Sequence, residues 1–141
     1  MKSARQRAKE KTWKWCSKYT RLRDCLKSDK NGEWGKCCSC GKPVLRNKAD
    51  AGHFIGRGIG GQSGVYFDER NIHLQCKQCN AFEQGNYRKY EQFMLMEYGQ
   101  EVIDQLKVLH KVNSYTLQQI EGLGLYYKQK YEELCREYGI T

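Results

Sequence analysis

Two pairs of cysteines carry the clearest chemical signal in this chain. Each pair has the spacing Cys-x-x-Cys, and 35 residues separate Cys37 and Cys40 from Cys76 and Cys79. Two such turns supply the four thiolates of a tetrahedral zinc site. Cys38 lies between the two cysteines of the first pair, does not have the pair spacing, and is expected to point away from the metal. The spacing favours one structural zinc ion over the two alternatives, disulfides and an iron–sulfur cluster.

The segment between and just after the cysteine pairs holds residues suited to phosphodiester hydrolysis. Such a reaction needs a base for the attacking water and a cation for the leaving oxygen. His53 is the candidate base, because histidine titrates near neutral pH. Asn71 could accept a hydrogen bond from the imidazole or orient its loop, and Asn80 offers a carbonyl oxygen to Mg²⁺ or Mn²⁺. Glu83 lies about one helical turn beyond Asn80, so both side chains can project from one face.

Asp50 and His73 are two further candidates with open roles. Asp50 lies three residues before His53, where it either coordinates the catalytic ion or leaves that position to water. His73 alternates with Asn71 along a strand and could share its face. A hydrogen-bonded structural histidine is the favoured interpretation of His73.

Positive charge is concentrated toward the N-terminal half of the chain. The net charge is +9, with +8 in residues 1–30, +4 in residues 31–90 and −3 in residues 91–141. A solvated surface is the alternative explanation, but beside a candidate nuclease site this polarity favours binding of a nucleic-acid backbone. We expect DNA contacts from six basic residues, which are Lys9, Lys11, Lys14, Lys18, Arg21 and Arg57.

The sequence also predicts the compartment. No apolar run approaches the roughly 20 residues that span a bilayer. The basic N-terminus lacks the apolar segment of a secretory signal. We therefore expect a cytoplasmic protein without a membrane partner, in which the eight cysteines are reduced or bind metal.

Hydrophobic periodicity and turn residues predict a single α+β domain over residues 1–141. Its parts are a basic helical arm, a zinc-bearing module and a helical region, at residues 1–30, 31–86 and 87–141. Apolar spacings of three and four predict helices over residues 3–27, 87–98, 100–112 and 116–138. Strand-like stretches and one glycine-rich loop occupy the module, at residues 44–54, 65–67, 72–74 and 56–64. A further helix is expected to begin near Asn80.

The order of these features resembles the HNH, or ββα-metal, nuclease superfamily. Zinc-bearing members have a Cys-x-x-Cys pair, a histidine ending the first strand, a glycine-rich loop, an asparagine five residues before the next cysteine, and a second pair followed by His or Asn. This chain has each feature in order: Cys37 and Cys40, His53, residues 56–64, Asn71, Cys76 and Cys79, and Asn80. The resemblance implies a zinc-stapled ββα fold and a metal-dependent nuclease site.

One position departs from that superfamily pattern. Many members have Asp or His immediately before the base as a metal ligand, whereas this chain has Gly52. Asp50 or a water molecule is expected to take the place of that ligand.

Two narrower resemblances concern phage enzymes. The run from Cys79 to Glu83 is similar to the Cys-Asn-Ala-x-Glu run of the endonuclease VII that resolves DNA junctions in T-even phages. Residues 37–85 and 90–106 resemble the lambdoid phage NinG (Rap) recombination endonucleases. This resemblance implies cutting of branched DNA, such as D-loops and Holliday junctions, in the host cytoplasm.

Two other functions stay open at this point. An HNH nuclease that cuts ordinary duplex DNA would use the same active-site residues, and only the family resemblance ranks it second. A non-catalytic zinc DNA-binding protein is the third class. His53 together with Asn80 argues against the third class, because a cysteine knuckle that only binds DNA needs neither.

The last predicted helix suggests a homodimer. Its apolar positions form a heptad-like seam of Leu117, Ile120, Gly124, Tyr127, Tyr131, Leu134 and Tyr138. Resolution of a four-way junction also needs two symmetric cuts, whereas one ββα-metal site makes one. We therefore expect a homodimer with contacts mainly from residues 87–138. The alternative is that the seam packs on its own domain.

Overall fold

A long N-terminal helix, α1, is the element on which much of the molecule packs. The computed structural model describes residues 1–56, 58 and 62–141, and α1 spans Ala4–Cys25. Ser3 begins it with a capping box, since its hydroxyl accepts from Gln6 N and the Gln6 side chain accepts from Ser3 N. The sequence predicts an apolar stripe of Trp13, Cys16, Tyr19, Leu22 and Leu26 along this helix. Its middle residues, Cys16, Tyr19 and Leu22, are buried, whereas Trp13 and Leu26 are only partly buried.

Two antiparallel two-stranded sheets follow α1 in the sequence. The first pairs strands β1 (Trp34–Lys36) and β2 (Pro43–Leu45), and the second pairs β3 (Asp50–His53) and β4 (Ile72–Gln75). In the second sheet, Asp50 lies opposite Gln75, and His53 lies opposite Ile72. Because side chains alternate along a strand, Asp50 and His53 leave opposite faces of β3.

A buried ion pair fastens α1 to strand β4. The Arg23 guanidinium donates to Asp24 Oδ1 at 2.8 Å and to the Ile72 carbonyl at 2.8 Å, while Asp24 Oδ2 accepts from Leu74 N at 2.8 Å. Burial alone would raise the pKa of the Asp24 carboxyl. The charge and hydrogen bonds of Arg23 outweigh it, so that the net pKa is lowered and the buried carboxylate stays ionised.

Three helices complete the chain and agree with their predicted positions to within one residue. They are α2, α3 and α4, at Tyr87–Glu97, Gln100–Val112 and Leu117–Tyr138. The capping box predicted at the start of α4 is present, because the Thr116 hydroxyl accepts from Gln119 N and the Gln119 side chain accepts from Thr116 N. Helix α2 covers the sheet face opposite α1.

The seam of α4 packs in large part against α1 of the same chain. Ile120 and Tyr127 are buried there, and Thr12 Oγ1 donates to the Ile120 carbonyl at 2.8 Å. A Cβ at Gly124 would lie 2.8 Å from Thr12 Oγ1, so glycine lets the two helices approach. The part of the seam from Ile120 to Tyr127 is therefore intramolecular core, whereas Leu117 is exposed. The homodimer itself stays a prediction, because a single chain does not test it.

Three local expectations within residues 31–86 were wrong. Residues 44–54 are interrupted by a 3-10 turn at Arg46–Lys48, and residues 65–67 form a buried turn without a strand partner. The helix expected near Asn80 is a single π-helical turn, Gln78–Phe82. Gln84, Gly85 and Asn86 have φ angles of 51°, 90° and 48°, and this left-handed run prevents the turn from continuing as a helix.

The α+β class predicted from the sequence is confirmed by this mixture of helices and small sheets. Among the residues described, no helix is long and apolar enough to cross a membrane.

Candidate functional site

The four cysteines of the two pairs converge at one point. Cys37 and Cys40 follow β1, Cys76 and Cys79 follow β4, and their Sγ atoms all lie within 4.8 Å of one another. This arrangement of four thiols could hold a metal such as zinc. Cys38 lies outside the cluster, as predicted, and packs with the residues between β3 and α2.

Amide groups close to the cysteine cluster orient its sulfur atoms. Asn86 Nδ2 donates to Cys79 Sγ at 3.4 Å, and Cys79 N donates to Cys76 Sγ at 3.4 Å. Such donors around a metal site hold its sulfur ligands in the orientation that the metal needs.

An open cleft of about 650 Å³ lies beside the second cysteine pair, between α1 and the edge of β3. Three of the predicted catalytic and metal-binding residues line it, namely Asp50, His53 and Asn80. The remaining lining includes two cationic side chains, Arg21 and Lys77, and one aromatic ring, that of Trp13. Polar or small residues complete it, namely Ser17, Asn47, Ala49, Ala51, Gly56, Gln84 and Gly85.

His53 ends strand β3 and enters the cleft half-buried. Its Nε2 lies 2.9 Å from the Tyr66 carbonyl, and its ring stacks on Trp13 with centroids 4.8 Å apart and planes 19° apart. A carbonyl oxygen only accepts, so neutral His53 carries its proton on Nε2. The contacts with Tyr66 and Trp13 hold the ring in a defined orientation.

Asp50 and Asn80 are brought together across the cleft wall. Asn80 Nδ2 donates to Asp50 Oδ2 at 3.0 Å, and Lys77 Nζ donates to Asp50 Oδ1 at 2.7 Å. Partial burial alone would raise the pKa of the Asp50 carboxyl. The hydrogen bonds from Lys77 and Asn80 outweigh it and hold the pKa below its ordinary value. The site thus presents a carboxylate at neutral pH.

Asn71 and Glu83, both predicted to be catalytic, do not line the cleft. Asn71 is fully buried. Its Oδ1 accepts a hydrogen bond from Ile55 N at 2.8 Å, and its Nδ2 donates to the Ile55 and Val65 carbonyls at 3.0 and 3.1 Å. It therefore joins the two ends of the loop after His53, the second of the two roles expected for it. Glu83 is exposed and accepts from Asn86 Nδ2 at 3.1 Å, because the π-helical turn ends before it.

His73 is structural, as favoured from the sequence. Its side chain is fully buried, with Nδ1 3.1 Å from Tyr90 Oη and Nε2 2.8 Å from Tyr98 Oη. Tyr90 donates its proton to the Gly52 carbonyl at 2.7 Å, so it accepts from Nδ1 of His73. Burial lowers the pKa of His73 to about 3, which keeps the ring neutral.

Gly52 replaces the expected metal ligand for a steric reason. A Cβ at this position would lie 1.9 Å from Gln75 Oε1, on the strand opposite. Gln75 is fully buried, and its Nε2 donates to Ser39 Oγ at 2.9 Å and to the Gly85 carbonyl at 2.7 Å. The Gln75 side chain thus occupies the space that a residue 52 side chain would need.

Five of the six predicted DNA contacts are in α1, where they are distributed over several surfaces. Arg21 lines the cleft, and Lys9 lies over the Tyr66 ring at 5.0 Å from its centroid. Lys14 and Lys18 surround Trp15, whereas Lys11 lines a separate groove between α1 and α4. Arg57 lies outside the described residues.

Two cleft residues were not identified from the sequence. Trp13 stacks on His53, and its helical spacing with Ser17 and Arg21 was the signal available in the sequence. Lys77 lies between the two cysteines of the second pair, and only the fold shows that it reaches Asp50.

Comparison with known proteins identifies the family. The family described as "Bacteriophage Lambda NinG protein" matches residues 1–137. "Protein ninG" of Escherichia phage 933W is 34% identical over 98 residues, which are 70% of this chain and 47% of that protein. The proteins of the same name from Escherichia phage lambda and Salmonella phage P22 are each 33% identical over 98 residues. The chain spans about half the length of these relatives, at 47% of each, and no solved structure matches it. This chain belongs to the NinG family of bacteriophage proteins.

Proposed function

We propose that this protein is a divalent-metal-dependent DNA endonuclease that cuts branched recombination intermediates, such as D-loops and Holliday junctions. The observation that carries the proposal is the cleft that His53, Asp50 and Asn80 all line, with Asn80 hydrogen-bonded to Asp50. Arg21 and Lys77 lie in the same cleft and supply positive charge for a phosphate. A base, hard oxygen ligands and cations in one open site are the components that phosphodiester hydrolysis requires.

His53 acts as the general base in this proposal. Nδ1 takes the proton of the attacking water, while Nε2 continues to donate to the Tyr66 carbonyl. The imidazolium that results is stabilised by that carbonyl and by the stacked face of Trp13. Rotation of the ring would break both contacts, so the base is held in one orientation.

The oxygen atoms that Asp50 and Asn80 present to the cleft fit a hard divalent cation. Asp50 provides carboxylate oxygens and Asn80 an amide oxygen, which are donors that Mg²⁺ and Mn²⁺ accept. A cation bound there would stabilise the negative charge that develops on the phosphate and the leaving oxygen. The Lys77 ammonium, 2.7 Å from Asp50 Oδ1, indicates that this carboxylate attracts positive charge.

The zinc-stapled HNH module is part of the same proposal. Strand β3 ends at the base, a loop follows, β4 leads to the second cysteine pair, and Asn80 follows that pair within the π-helical turn. Membership of a bacteriophage family supports a role in phage recombination. The basic surface of α1 supports DNA as the substrate.

A second candidate function is DNA binding without hydrolysis. One observation favours it: Asp50 is already neutralised by Lys77, so a cation must displace an existing partner. Arg21 and Lys77 would then serve only to bind phosphate.

Cleavage of a four-way junction and of a linear duplex with the same sequence separates these functions. We expect the full chain to cut the junction in the presence of Mg²⁺ or Mn²⁺ and to leave it intact without added divalent ion. Equal cutting of the duplex would assign the protein to ordinary duplex nucleases. Binding without cutting under every ion tested would establish the second candidate.

A further inference from the structure

A second groove, of about 430 Å³, adjoins the cleft along the outer side of α1. It shares Arg21 and Asn47 with the cleft, so the two depressions form one continuous path. Its lining adds residues from α1, from the β1–β2 sheet and the turn after it, and from α4: Lys18, Glu33, Leu45, Arg46 and Tyr131. A chain that enters the cleft can therefore continue along this groove toward α4.

An aromatic cluster surrounded by lysines adjoins this groove at Tyr131 and extends toward the neighbouring groove between α1 and α4, which Trp15 and Lys128 line. Trp15 and Tyr131 have ring centroids 6.0 Å apart, and Trp15 is half-buried. The ammonium groups of Lys14, Lys18 and Lys128 lie 5.6, 5.1 and 5.6 Å from the Trp15 centroid. Lys18 also lies 5.7 Å from the Tyr131 centroid. Three cations thus converge on one indole.

These three lysines lack carboxylate partners. Within the described part of the chain, no salt bridge involves Lys14, Lys18 or Lys128. Ammonium groups gathered around one indole ring repel one another. The attraction of each ammonium to the ring face offsets only part of that repulsion. An anionic ligand would relieve it. The structure therefore concentrates unbalanced positive charge where an aromatic face is available.

Lysines beside exposed aromatic rings are the pattern by which proteins hold single-stranded nucleic acid. The ammonium groups bind phosphates, and the rings stack on bases, whose faces are accessible only in an unpaired strand. We propose that the groove binds an unpaired DNA strand that continues from the cleft, with a base stacked against the Trp15–Tyr131 cluster. Its position next to a cleavage site rests on the proposed function, whereas binding itself needs no hydrolysis.

Binding of a fluorescent oligothymidylate tests this site directly. Affinity is measured by anisotropy with the full, zinc-loaded chain and no added magnesium, so that cleavage plays no part. Trp15→Leu removes the stacking surface but keeps an apolar side chain, and it should weaken binding on the order of tenfold. Trp15→Phe keeps a ring and should retain most of the affinity.

The charge component has its own matched comparison. The double variant Lys18→Gln with Lys128→Gln should weaken oligothymidylate binding and lower its salt dependence. Lys130→Gln is the control, because Lys130 is also on α4 and lies over a tyrosine ring, that of Tyr126, but outside the groove. It should bind as the wild type does. Circular dichroism and zinc content establish that each variant is folded.

A second measurement identifies the type of DNA. Wild type should bind a forked DNA with unpaired arms more tightly than a duplex of the same sequence, and Trp15→Leu should lose this preference. The inference is overturned if folded Trp15→Leu and the double lysine variant both bind oligothymidylate as the wild type does. Tighter binding of oligouridylate would overturn DNA as the ligand. If the wild type cuts no DNA but these binding losses appear, the proposed hydrolysis fails and the groove assignment stands.

Discussion

The two faces of the β3–β4 sheet differ in how each surrounds a histidine. On the face toward α2, His73 is fully buried between Tyr90 and Tyr98. On the face toward α1, His53 is half-buried, stacks on Trp13 and opens into the cleft. The two residues are nearly opposite in the strand register, since His73 pairs with Gly52.

The difference shows that access to solvent, more than residue type or sheet position, determines what each histidine can do. Both ring nitrogens of His73 are occupied by tyrosine hydroxyls, and burial lowers its pKa to about 3, so the neutral ring takes up no second proton near neutral pH. His53 has Nε2 directed at the Tyr66 carbonyl and lines the open cleft, where the proposed function places a water molecule and a phosphate.

The largest expected effect comes from the cysteine cluster, on which both faces depend. Cys40→Ser should abolish zinc binding and unfold residues 31–86, because structural zinc contributes about 10 kcal/mol or more to folding in small zinc modules. Elemental analysis and thermal unfolding measure the two effects. Cys38→Ser is the control, since Cys38 lies outside the cluster, and it should keep its zinc. Zinc-free protein that is reduced, folded and active would contradict the assignment.

Replacement of the buried histidine should act on stability and on its pH dependence. His73→Leu removes two hydrogen bonds and should lower the free energy of unfolding by about 2 to 4 kcal/mol at pH 7.5. The pKa of His73 is about 3 in the folded protein and has the ordinary value of 6.5 in the unfolded chain. Between pH 6.5 and pH 3, His73 is therefore protonated only in the unfolded wild type. Wild-type stability therefore falls as the pH drops below about 6.5, by up to about 1.4 kcal/mol per unit, and the variant lacks this loss.

Urea unfolding at several pH values measures this comparison. The difference in free energy of unfolding between the wild type and His73→Leu should become smaller as the pH is lowered from 7.5 to 5. His53→Ala should unfold almost as the wild type does at both pH values, because its ring is only half-buried. A difference that stays constant with pH would show that His73 is not the buried neutral group described here.

A smaller effect is expected at the proposed ion site of the open face. Asn80→Ala should raise the Mg²⁺ concentration needed for half-maximal cleavage about tenfold. Glu83→Gln provides the comparison, because Glu83 is exposed and does not line the cleft. It should leave the ion requirement nearly unchanged. If Glu83→Gln gave the larger shift, the ion site would lie outside the cleft.

The smallest expected effect concerns the basic surface of α1. Lys14→Gln should reduce the slope of log affinity against log salt by about 0.7 for a single strand, if Lys14 contacts one phosphate. Fluorescence anisotropy over a series of salt concentrations measures the slope. An unchanged slope would remove Lys14 from the DNA contacts, while the matched Lys130→Gln variant should keep the wild-type slope.

The sequence predicted the elements that depend on local patterns. Periodicity placed α1, α3 and α4, and the Thr116 capping box was readable because its residues are close in sequence. The spacing of the four cysteines was enough to predict a shared metal site, since Cys-x-x-Cys pairs have few other uses in a reduced protein.

The sequence did not reveal features that depend on distant contacts. The helix expected near Asn80 stops after one π-helical turn because left-handed residues follow at 84–86, which composition does not specify. Stacking of Trp13 on His53 joins residues 40 positions apart. The burial of Ile120 and Tyr127 against α1 likewise depends on tertiary packing, and a heptad-like spacing does not distinguish it from a dimer seam.

The most direct test of the central claim is the single-turnover cleavage rate of His53→Ala on a four-way junction at saturating Mg²⁺. The account predicts a rate about a hundredfold or more below that of the wild type, because the general base is lost. Junction affinity, zinc content and thermal unfolding should stay close to wild type. Cleavage at the wild-type rate would contradict the assignment of His53 as the base and of the cleft as the active site.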